Sequence, residues 1–142
     1  MKEETKSNKR YLNRYRRYMK RVDKLEEKLY QIDVQIQGLK GRQITDMPRG
    51  GRTLTTDDLL IKKEETEHRI QNLLDRSKRI RYEVFDCIDT LEDDRFAEIL
   101  ECYFIERLTF EEIAEQKNYS VRHVGYLYGK GIELVVRPTV ES

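Results

Sequence analysis

The sequence is poor in the residues that build tightly cross-linked or chemically reactive proteins. It has no tryptophan, two prolines, two cysteines and two histidines in 142 residues. No stretch approaches the roughly 18 consecutive apolar residues of a membrane-spanning helix. The first residues, Met1 to Lys6, also lack the apolar run of an export signal. We therefore expect a soluble, cytoplasmic protein.

Reactive groups are few and scattered. Cys87 and Cys102 fall at apolar positions of predicted helices, with no cysteine or histidine at metal-ligand spacing, so we interpret both as buried side chains in a reducing compartment. His68 lies among charged residues on a predicted helix surface. There is no Ser/His/Asp or Cys/His pairing and no phosphate-binding glycine loop after a strand. The sequence therefore predicts no enzyme, no cofactor and no metal site.

Scarce proline and glycine, with 39% charged residues, favour an open all-α fold. Two long amphipathic helices are indicated by apolar residues at alternating spacings of four and three. The first seam consists of Tyr11, Tyr15, Tyr18, Val22, Leu25, Leu29, Ile32, Ile36 and Leu39. The second consists of Leu59, Lys63, Thr66, Ile70, Leu73, Ser77, Ile80, Val84, Cys87 and Leu91, widened by Leu60, Leu74 and Ile88.

A loop at about 42–54 separates the two predicted helices, because glycines and Pro48 interrupt the pattern there. Thr55 or Thr56 is expected to cap the second helix. Residues 1–88 fold most simply as an antiparallel, coiled-coil-like helical hairpin. Either seam is also wide enough to pair between two chains, so a homodimer stays open.

Two short helices joined by a tight turn follow. Thr109 and Glu112 match a capping box, Asn118 tolerates a left-handed turn, and Ser120 is a good N-cap for the second helix. This pattern is typical of a helix-turn-helix. A preceding helix, predicted at 93–105, carries an apolar side that can pack beneath the pair: Phe96, Ile99, Leu100, Tyr103 and Phe104. Residues 89–136 are thus predicted to form a DNA-binding domain, followed by a tail at 137–142.

Charge is unevenly distributed although the formal net charge is +1. Every charged residue in 6–21 is basic, whereas Arg95 and Arg107 are the only basic residues in 86–115. The predicted second helix of the pair, 120–132, carries no carboxylate. Because phosphate attraction dominates affinity for duplex DNA, an acid-free helix favours a DNA-binding face. The basic N-terminal run either lies along DNA or forms the solvated flank of the seam, and Arg49 and Arg52 either enter a minor groove or lie in a surface loop.

Outward positions near the start of a recognition helix meet the major groove. Arg122 is the candidate base-reading residue, since a guanidinium bonds guanine O6 and N7 together, with a phosphate contact as the alternative. His123 and Tyr126 are candidates for DNA contact or for packing, and Lys130 for phosphate contact. The full candidate DNA-binding set is Ser120, Val121, Arg122, His123, Gly125, Tyr126 and Lys130.

The segment 108–134, which opens Leu-Thr-Phe-Glu-Glu-Ile-Ala-Glu, resembles region four of bacterial primary sigma factors, whose helix-turn-helix reads the −35 promoter element. The whole chain is similar to small phage and prophage regulators of Gram-positive bacteria, the group related to the ArpU and RinA late-transcription activators. The segments that carry this similarity are Tyr11–Tyr15, Met47–Gly50 and Tyr119–Gly131. The resemblance implies sequence-specific DNA binding that controls late phage genes.

The chain departs from sigma factors at the groove-facing positions, where those proteins usually carry arginine, glutamate and glutamine. Here the residues are Val121, Arg122, Gly125 and Tyr126. We therefore expect a dedicated operator. Two other hypotheses stay open: a small-terminase-like DNA-packaging factor, which predicts a high-order oligomer, and a helical interaction protein that acts on RNA polymerase or a repressor. A regulator predicts a monomer or dimer that binds a single operator in duplex DNA, and direct contact with RNA polymerase stays open.

Overall fold

A computed structural model describes residues 2–41 and 55–138, and every regular element in those two ranges is helical. The all-α prediction is confirmed for this part of the chain. The predicted loop at about 42–54, with Arg49 and Arg52, lies outside the described residues. The helices are α1 (Glu3–Leu12), α2 (Arg14–Gly41), α3 (Thr56–Ile88), α4 (Asp94–Leu100), α5 (Phe110–Lys117) and α6 (Val121–Leu134), with a π-helical turn at Glu101–Ile105.

The first predicted helix is divided at Asn13. This residue has φ −76° and ψ −4°, at the edge of helical geometry. Backbone hydrogen bonds still cross the division, because the Asn13 N–H donates to the Lys9 carbonyl and the Asn13 carbonyl accepts from Arg17. The apolar spacing continues through this point, so the periodicity alone did not indicate a break.

The two predicted seams are the covered faces of these helices, since none of their residues is exposed. Thr66 interrupts the second seam chemically but is buried, and its hydroxyl donates to the Lys62 carbonyl at 2.7 Å. That bond within the same helix satisfies the buried hydroxyl. Leu60, predicted to widen the seam, is instead 45% exposed. It follows Leu59 by one residue and so lies about 100° further around the helix.

The described chain forms two compact units. Unit 1 consists of residues 1–19 and 76–142, and unit 2 of residues 20–75, so that α2 and α3 contribute to both. The predicted boundary between 1–88 and 89–136 does not coincide with this division. The physical reason is that α1, the first helix of the chain, packs against α6, the last.

Unit 1 contains two buried clusters, on either side of the segment that runs from α4 through the π-helical turn. In the first, Leu12 of α1 meets Phe104 and Ile132. In the second, Ile99 and Cys102 meet the apolar faces of α5 and α6. One continuous α-helix was predicted over 93–105, but the α-helix ends at Leu100. The Glu106 N–H donates to the Glu101 carbonyl at 3.0 Å, closing a π-type turn that lets neighbouring residues serve opposite clusters.

A buried asparagine fixes α1 to the C-terminal end of α6. Asn8 is 2% exposed. Its Nδ2 donates to the carbonyls of Ile132 at 2.9 Å and Val135 at 3.4 Å, and its Oδ1 accepts from Arg137 Nε at 2.7 Å. All of its polar atoms therefore have partners, as burial requires. Arg137, the start of the predicted tail, is part of this network, whereas residues 139–142 lie outside the described residues.

Unit 2 is held by contacts between α2 and α3. Ile32 and Ile36 of α2 pack on Leu59 of α3. Nearby, Lys63 Nζ lies 2.9 Å from Asp33 Oδ1, and this hydrogen bond raises the pKa of Lys63. The predicted cap of α3 is also present, because Thr55 Oγ1 accepts from the Asp58 N–H at 3.1 Å.

Candidate nucleic-acid interface

The turn between α5 and α6 is built from local hydrogen bonds. Thr109 Oγ1 accepts from the Glu112 N–H at 3.1 Å, and Glu112 Oε1 accepts from the Thr109 N–H at 2.9 Å. The predicted capping box is confirmed, and these bonds lower the pKa of Glu112. Helix α5 ends at Lys117, and Asn118 takes the predicted left-handed conformation, with φ 58° and ψ 41°. The chain therefore turns within three residues, before α6 begins.

Helix α6 starts at a capped end and packs firmly on its neighbours. Ser120 Oγ accepts from the His123 N–H at 3.0 Å, which confirms the predicted N-cap. Val124 and Leu127 pack with Ile113 and Ala114 of α5 in the second cluster of unit 1. Helix α6 is thus fixed against α5, α4 and α1, and its remaining side is left to solvent.

The solvent side of α6 forms a continuous stripe that we call the outer face. Its members are spaced by four, three, one and three residues, which places them on one side of a helix. They are Arg122, Tyr126, Gly129, Lys130 and Glu133, and all are exposed. Tyr126 exposes 58% of its surface, and Val121, at the start of the helix, exposes 44%. Of the predicted residues, Arg122, Tyr126 and Lys130 share this face, while Ser120 serves as the cap.

His123 and Gly125 lie at the edges of the outer face. The His123 ring is half-buried, meets the Tyr119 ring edge-on with centroids 4.8 Å apart, and stacks on Tyr126 at 6.3 Å with planes inclined by 17°. These rings form an aromatic row from the turn to the outer face. Tyr126 is therefore supported on one side by His123, which limits the positions that its exposed ring can take.

Arg95 of α4 is a residue of this surface that sequence reasoning missed. Its guanidinium bonds both carboxylate oxygens of Asp93, at 3.2 and 2.9 Å, and its side chain is 63% exposed. Asp93 raises the pKa of Arg95 most, and Tyr119 and Tyr126 add to this because they lie nearby. A cation thus borders the aromatic row. The only feature of the sequence that pointed to Arg95 was its position as an isolated arginine in an acidic stretch.

Two glycines of α6 differ in what surrounds them. A Cβ at Gly131 would lie 3.0 Å from Leu100 side-chain atoms, so a larger residue there would force Leu100 to move at the crossing of α4 and α6. A Cβ at Gly129 would meet no atom within 4 Å among the described residues. Glycine in a helix costs about 0.5–1 kcal/mol relative to alanine. Gly129 therefore keeps the backbone of the outer face accessible without a packing reason in unit 1.

The outer face is not free of negative charge along its whole length. The acid-free helix was predicted to end at residue 132, but α6 continues to Leu134. Glu133 consequently joins the outer face, where its Oε2 lies 3.8 Å from Lys130 Nζ. The N-terminal half, from Val121 to Gly129, carries Arg122 and no carboxylate. This half is the more favourable one for an anionic partner.

The basic N-terminal run is divided between interior and surface. Arg14 bonds Glu83 at 3.0 Å, and the Arg16 guanidinium lies 4.0 Å from the centroid of the Tyr103 ring. These two side chains serve the packing of unit 1. The other basic side chains of the run in α1 and at the start of α2 are exposed: Lys6, Lys9, Arg10 and Arg17.

Other reactive groups are buried or dispersed. Burial raises the pKa of both the Cys87 and Cys102 thiols to about 11, so neither forms the nucleophilic thiolate near neutral pH. Among residues 2–41 and 55–138, no group of three or more His, Cys, Asp and Glu side chains is placed to hold a metal ion. No helix in the same ranges is long and apolar enough to cross a membrane.

No protein-family model, curated protein or solved structure matches the chain.

Proposed function

We propose that this chain is a sequence-specific DNA-binding regulator of transcription. In this proposal α5, the turn and α6 act as a helix-turn-helix, and α6 is the recognition helix that enters the major groove. The resemblance to late-transcription activators extends the proposal to phage or prophage late genes. The preceding helices α2 and α3 would form an antiparallel hairpin, which the pairing of Asp33 with Lys63 and of Ile36 with Leu59 supports.

One observation carries the proposal: the outer face of α6 begins with exposed Arg122 and Tyr126 and has no carboxylate until Glu133. The N-terminal residues of a recognition helix are the part that reaches base edges. The face also stands on rigid support, since the opposite side of α6 is buried and both helices of the pair are capped. Recognition requires such support because a mobile helix would lose binding energy on ordering.

Each candidate residue then has a defined part in recognition. Arg122 reads guanine through paired hydrogen bonds, and exposed Val121 contacts a thymine methyl group. Tyr126, supported by His123, contacts a base or a sugar. Lys130 binds phosphate and adds affinity without specificity. Gly125 and Gly129 let the DNA backbone approach the helix closely.

A second candidate function is favoured by the surface of unit 2. Among the described residues of unit 2, four large apolar side chains are exposed: Tyr30, Val34, Leu60 and Ile61. Exposed apolar residues on paired helices suit contacts between copies of the chain, as in a homodimeric regulator or in a ring-forming DNA-packaging factor. A contact with RNA polymerase or a repressor is the other use of such a surface. The solution mass separates these cases, because a regulator is a monomer or dimer and a packaging ring is far larger.

The experiment that tests the proposal is enrichment of binding sites from a random-sequence duplex pool by the purified full-length protein. We expect one enriched motif. Arg122→Ala should weaken binding to that motif by about 1–3 kcal/mol, roughly 5- to 150-fold, and relax the preference at one base position. Binding to shuffled duplex should change much less.

The matched control is Arg81→Ala, which removes an exposed arginine from α3 and leaves α6 intact. It should leave the enriched motif unchanged. If the wild-type protein binds enriched and shuffled duplex equally, sequence-specific regulation is excluded. If Arg122→Ala weakens binding to the motif and to shuffled duplex equally, and by more than Arg81→Ala does, Arg122 contacts only phosphate and the base-reading role is wrong.

A further inference from the structure

We propose that the cleft between α1 and α6 receives the DNA backbone beside the recognition site, with the lysine face of α1 neutralising its phosphates. This inference rests on the proposed DNA-binding function and extends it to a second element of unit 1. It assigns a partner to part of the basic N-terminal run, for which the sequence alone left two interpretations.

The cleft adjoins the outer face of α6. It has a volume of about 590 Å³ and is lined by Lys2 and Thr5 at the start of α1 and by Gly125, Tyr126, Gly129, Lys130 and Glu133 of α6. Because the glycines have no side chains, the α6 wall of the cleft is shallow. Lys2 lies on the α1 side of the cleft and Lys130 on the α6 side. A duplex that lies against Arg122 and Tyr126 therefore meets the cleft without crossing a bulky side chain.

Spacing along α1 concentrates positive charge on the side that borders the cleft. Thr5, Lys6 and Lys9 are separated by one and three residues, which places them on one face of α1, and Lys2 precedes the helix as its N-cap residue. The three lysines are exposed and no ion pair holds them among the described residues. Glu3 lies three residues before Lys6 and so borders the lysine face, whereas Glu4, two residues before Lys6, points to another face. The lysine face thus matches a polyanion in charge.

The Asn8 clamp keeps this lysine face in place. Asn8 ties α1 to the carbonyls of Ile132 and Val135, directly after the stretch of α6 that lines the cleft. Leu12, one turn later, is buried in the first cluster of unit 1. A basic segment without such anchors would lose conformational entropy on binding, whereas α1 has already been ordered by folding.

The carboxylate of Glu133 repels phosphate. Removing its charge should therefore strengthen DNA binding, which is the opposite of the effect of removing a lysine. Among the described residues Glu133 is the single acid that lines the cleft, and its carboxylate lies 3.8 Å from Lys130 Nζ. Removing its charge leaves Lys130 free for phosphate. A charge about 8 Å from a phosphate in water corresponds to roughly a twofold effect on affinity. Glu133→Gln should therefore tighten binding by roughly twofold.

The experiment compares salt dependence for full-length wild type and the triple variant Lys2→Gln, Lys6→Gln, Lys9→Gln. The probe is a duplex that carries the enriched motif with about ten flanking base pairs on each side, titrated between about 50 and 200 mM salt. The slope of log affinity against log salt falls by about 0.9 for each phosphate that the protein no longer neutralises. We expect the triple variant to lower the slope by about 2–3 while the preference for the motif over shuffled duplex stays unchanged.

The matched control removes three exposed lysines from unit 2, as Lys24→Gln, Lys28→Gln, Lys62→Gln, and has the same net charge. A slope equal to wild type in this control, with a reduced slope in the α1 variant, supports the cleft. Equal slopes in both variants overturn it while Arg122→Ala still tests the recognition helix. Absence of any duplex binding by wild type overturns both proposals.

Discussion

Units 1 and 2 share the same two long helices, but the connections that hold each unit differ in range along the chain. In unit 1, Asn8 bonds the backbone at Ile132 and Leu12 packs with Phe104, so residues from the two ends of the sequence meet. In unit 2, the contacts join matched positions of α2 and α3, such as Asp33 with Lys63. The core of unit 1 is formed by helices from distant parts of the chain, whereas unit 2 is held by contacts between one pair of helices, α2 and α3.

The difference shows why the candidate interface is in unit 1. A recognition surface needs side chains held in fixed relative positions, and a core approached from several directions supplies that. The rings of Tyr103, Phe104 and Tyr128 show this convergence, with centroids 4.9 to 5.7 Å apart. A two-helix pair fixes its elements along one seam only. Its surface suits extended contacts with another helix.

The largest effect should come from the core of unit 1. Phe104→Ala removes a fully buried ring that contacts two aromatic neighbours and should cost about 3–5 kcal/mol of unfolding free energy. Leu59→Ala in unit 2, where the cluster is smaller, should cost about 2 kcal/mol. Urea unfolding followed by circular dichroism measures both. Tyr82 is 66% exposed, so Tyr82→Ala is the control, expected within about 0.5 kcal/mol of wild type. Equal losses at Phe104 and Leu59 would remove the energetic contrast between the units.

Removing a buried polar group should cause a loss of stability of intermediate size, and the loss should be larger in unit 1 than in unit 2. Asn8→Ala leaves the carbonyls of Ile132 and Val135 without their donor and should destabilise the protein by about 1–3 kcal/mol. Thr66→Val removes a hydroxyl that bonds only its own helix, so it should cost less than about 1 kcal/mol. Amide hydrogen exchange should in addition show faster exchange in α1 for Asn8→Ala. If both variants lose the same stability, the long-range clamp contributes nothing beyond local bonding.

Within unit 1, the two faces of α6 should respond oppositely to added methyl groups. Gly129→Ala gains helix propensity without a clash and should stabilise the protein by about 0.5–1 kcal/mol. Gly131→Ala forces Leu100 to move and should destabilise by about 1–3 kcal/mol. Thermal unfolding of the two variants provides the comparison. A stabilising Gly131→Ala would show that α4 and α6 yield easily at their crossing.

The smallest effects concern pH, and they have opposite signs in the two units. The pKa of Glu112 is lowered by the Thr109 N–H, so its contribution is present above the ordinary carboxyl pKa of about 4.3 and is lost as pH falls through the lowered value. The pKa of Lys63 is raised by Asp33, so its contribution is present below about pH 10.4 and is lost as pH rises through the raised value.

We therefore expect the difference in urea midpoint between wild type and Glu112→Gln to shrink below about pH 4. The difference between wild type and Lys63→Gln should shrink above about pH 10. Both side chains are on the surface, so the midpoints should move only slightly. A difference that stays constant across pH in either variant contradicts the assigned hydrogen bond.

Local patterns predicted much of the structure because their physics is local. Capping by Thr109 and Ser120 depends on residues three positions away, and the left-handed Asn118 depends on its own backbone preference. The two apolar seams follow from helical periodicity alone. The candidate DNA-binding residues were likewise placed on α6, with Arg122, Tyr126 and Lys130 on one exposed face. Their contact with DNA stays a prediction.

What the sequence determined by itself is the helical class, the seams, the caps and the position of the turn, because each depends on neighbours within one or two helical turns. Tertiary structure alone decided the division at Asn13, the π-helical turn after Leu100, the addition of Arg95 to the aromatic row and the position of α1 beside α6. The position of α1 beside α6 depends on groups far apart along the chain. The Asn8 side chain finds its acceptors more than a hundred residues later, and no periodicity or cap signal encodes that partner.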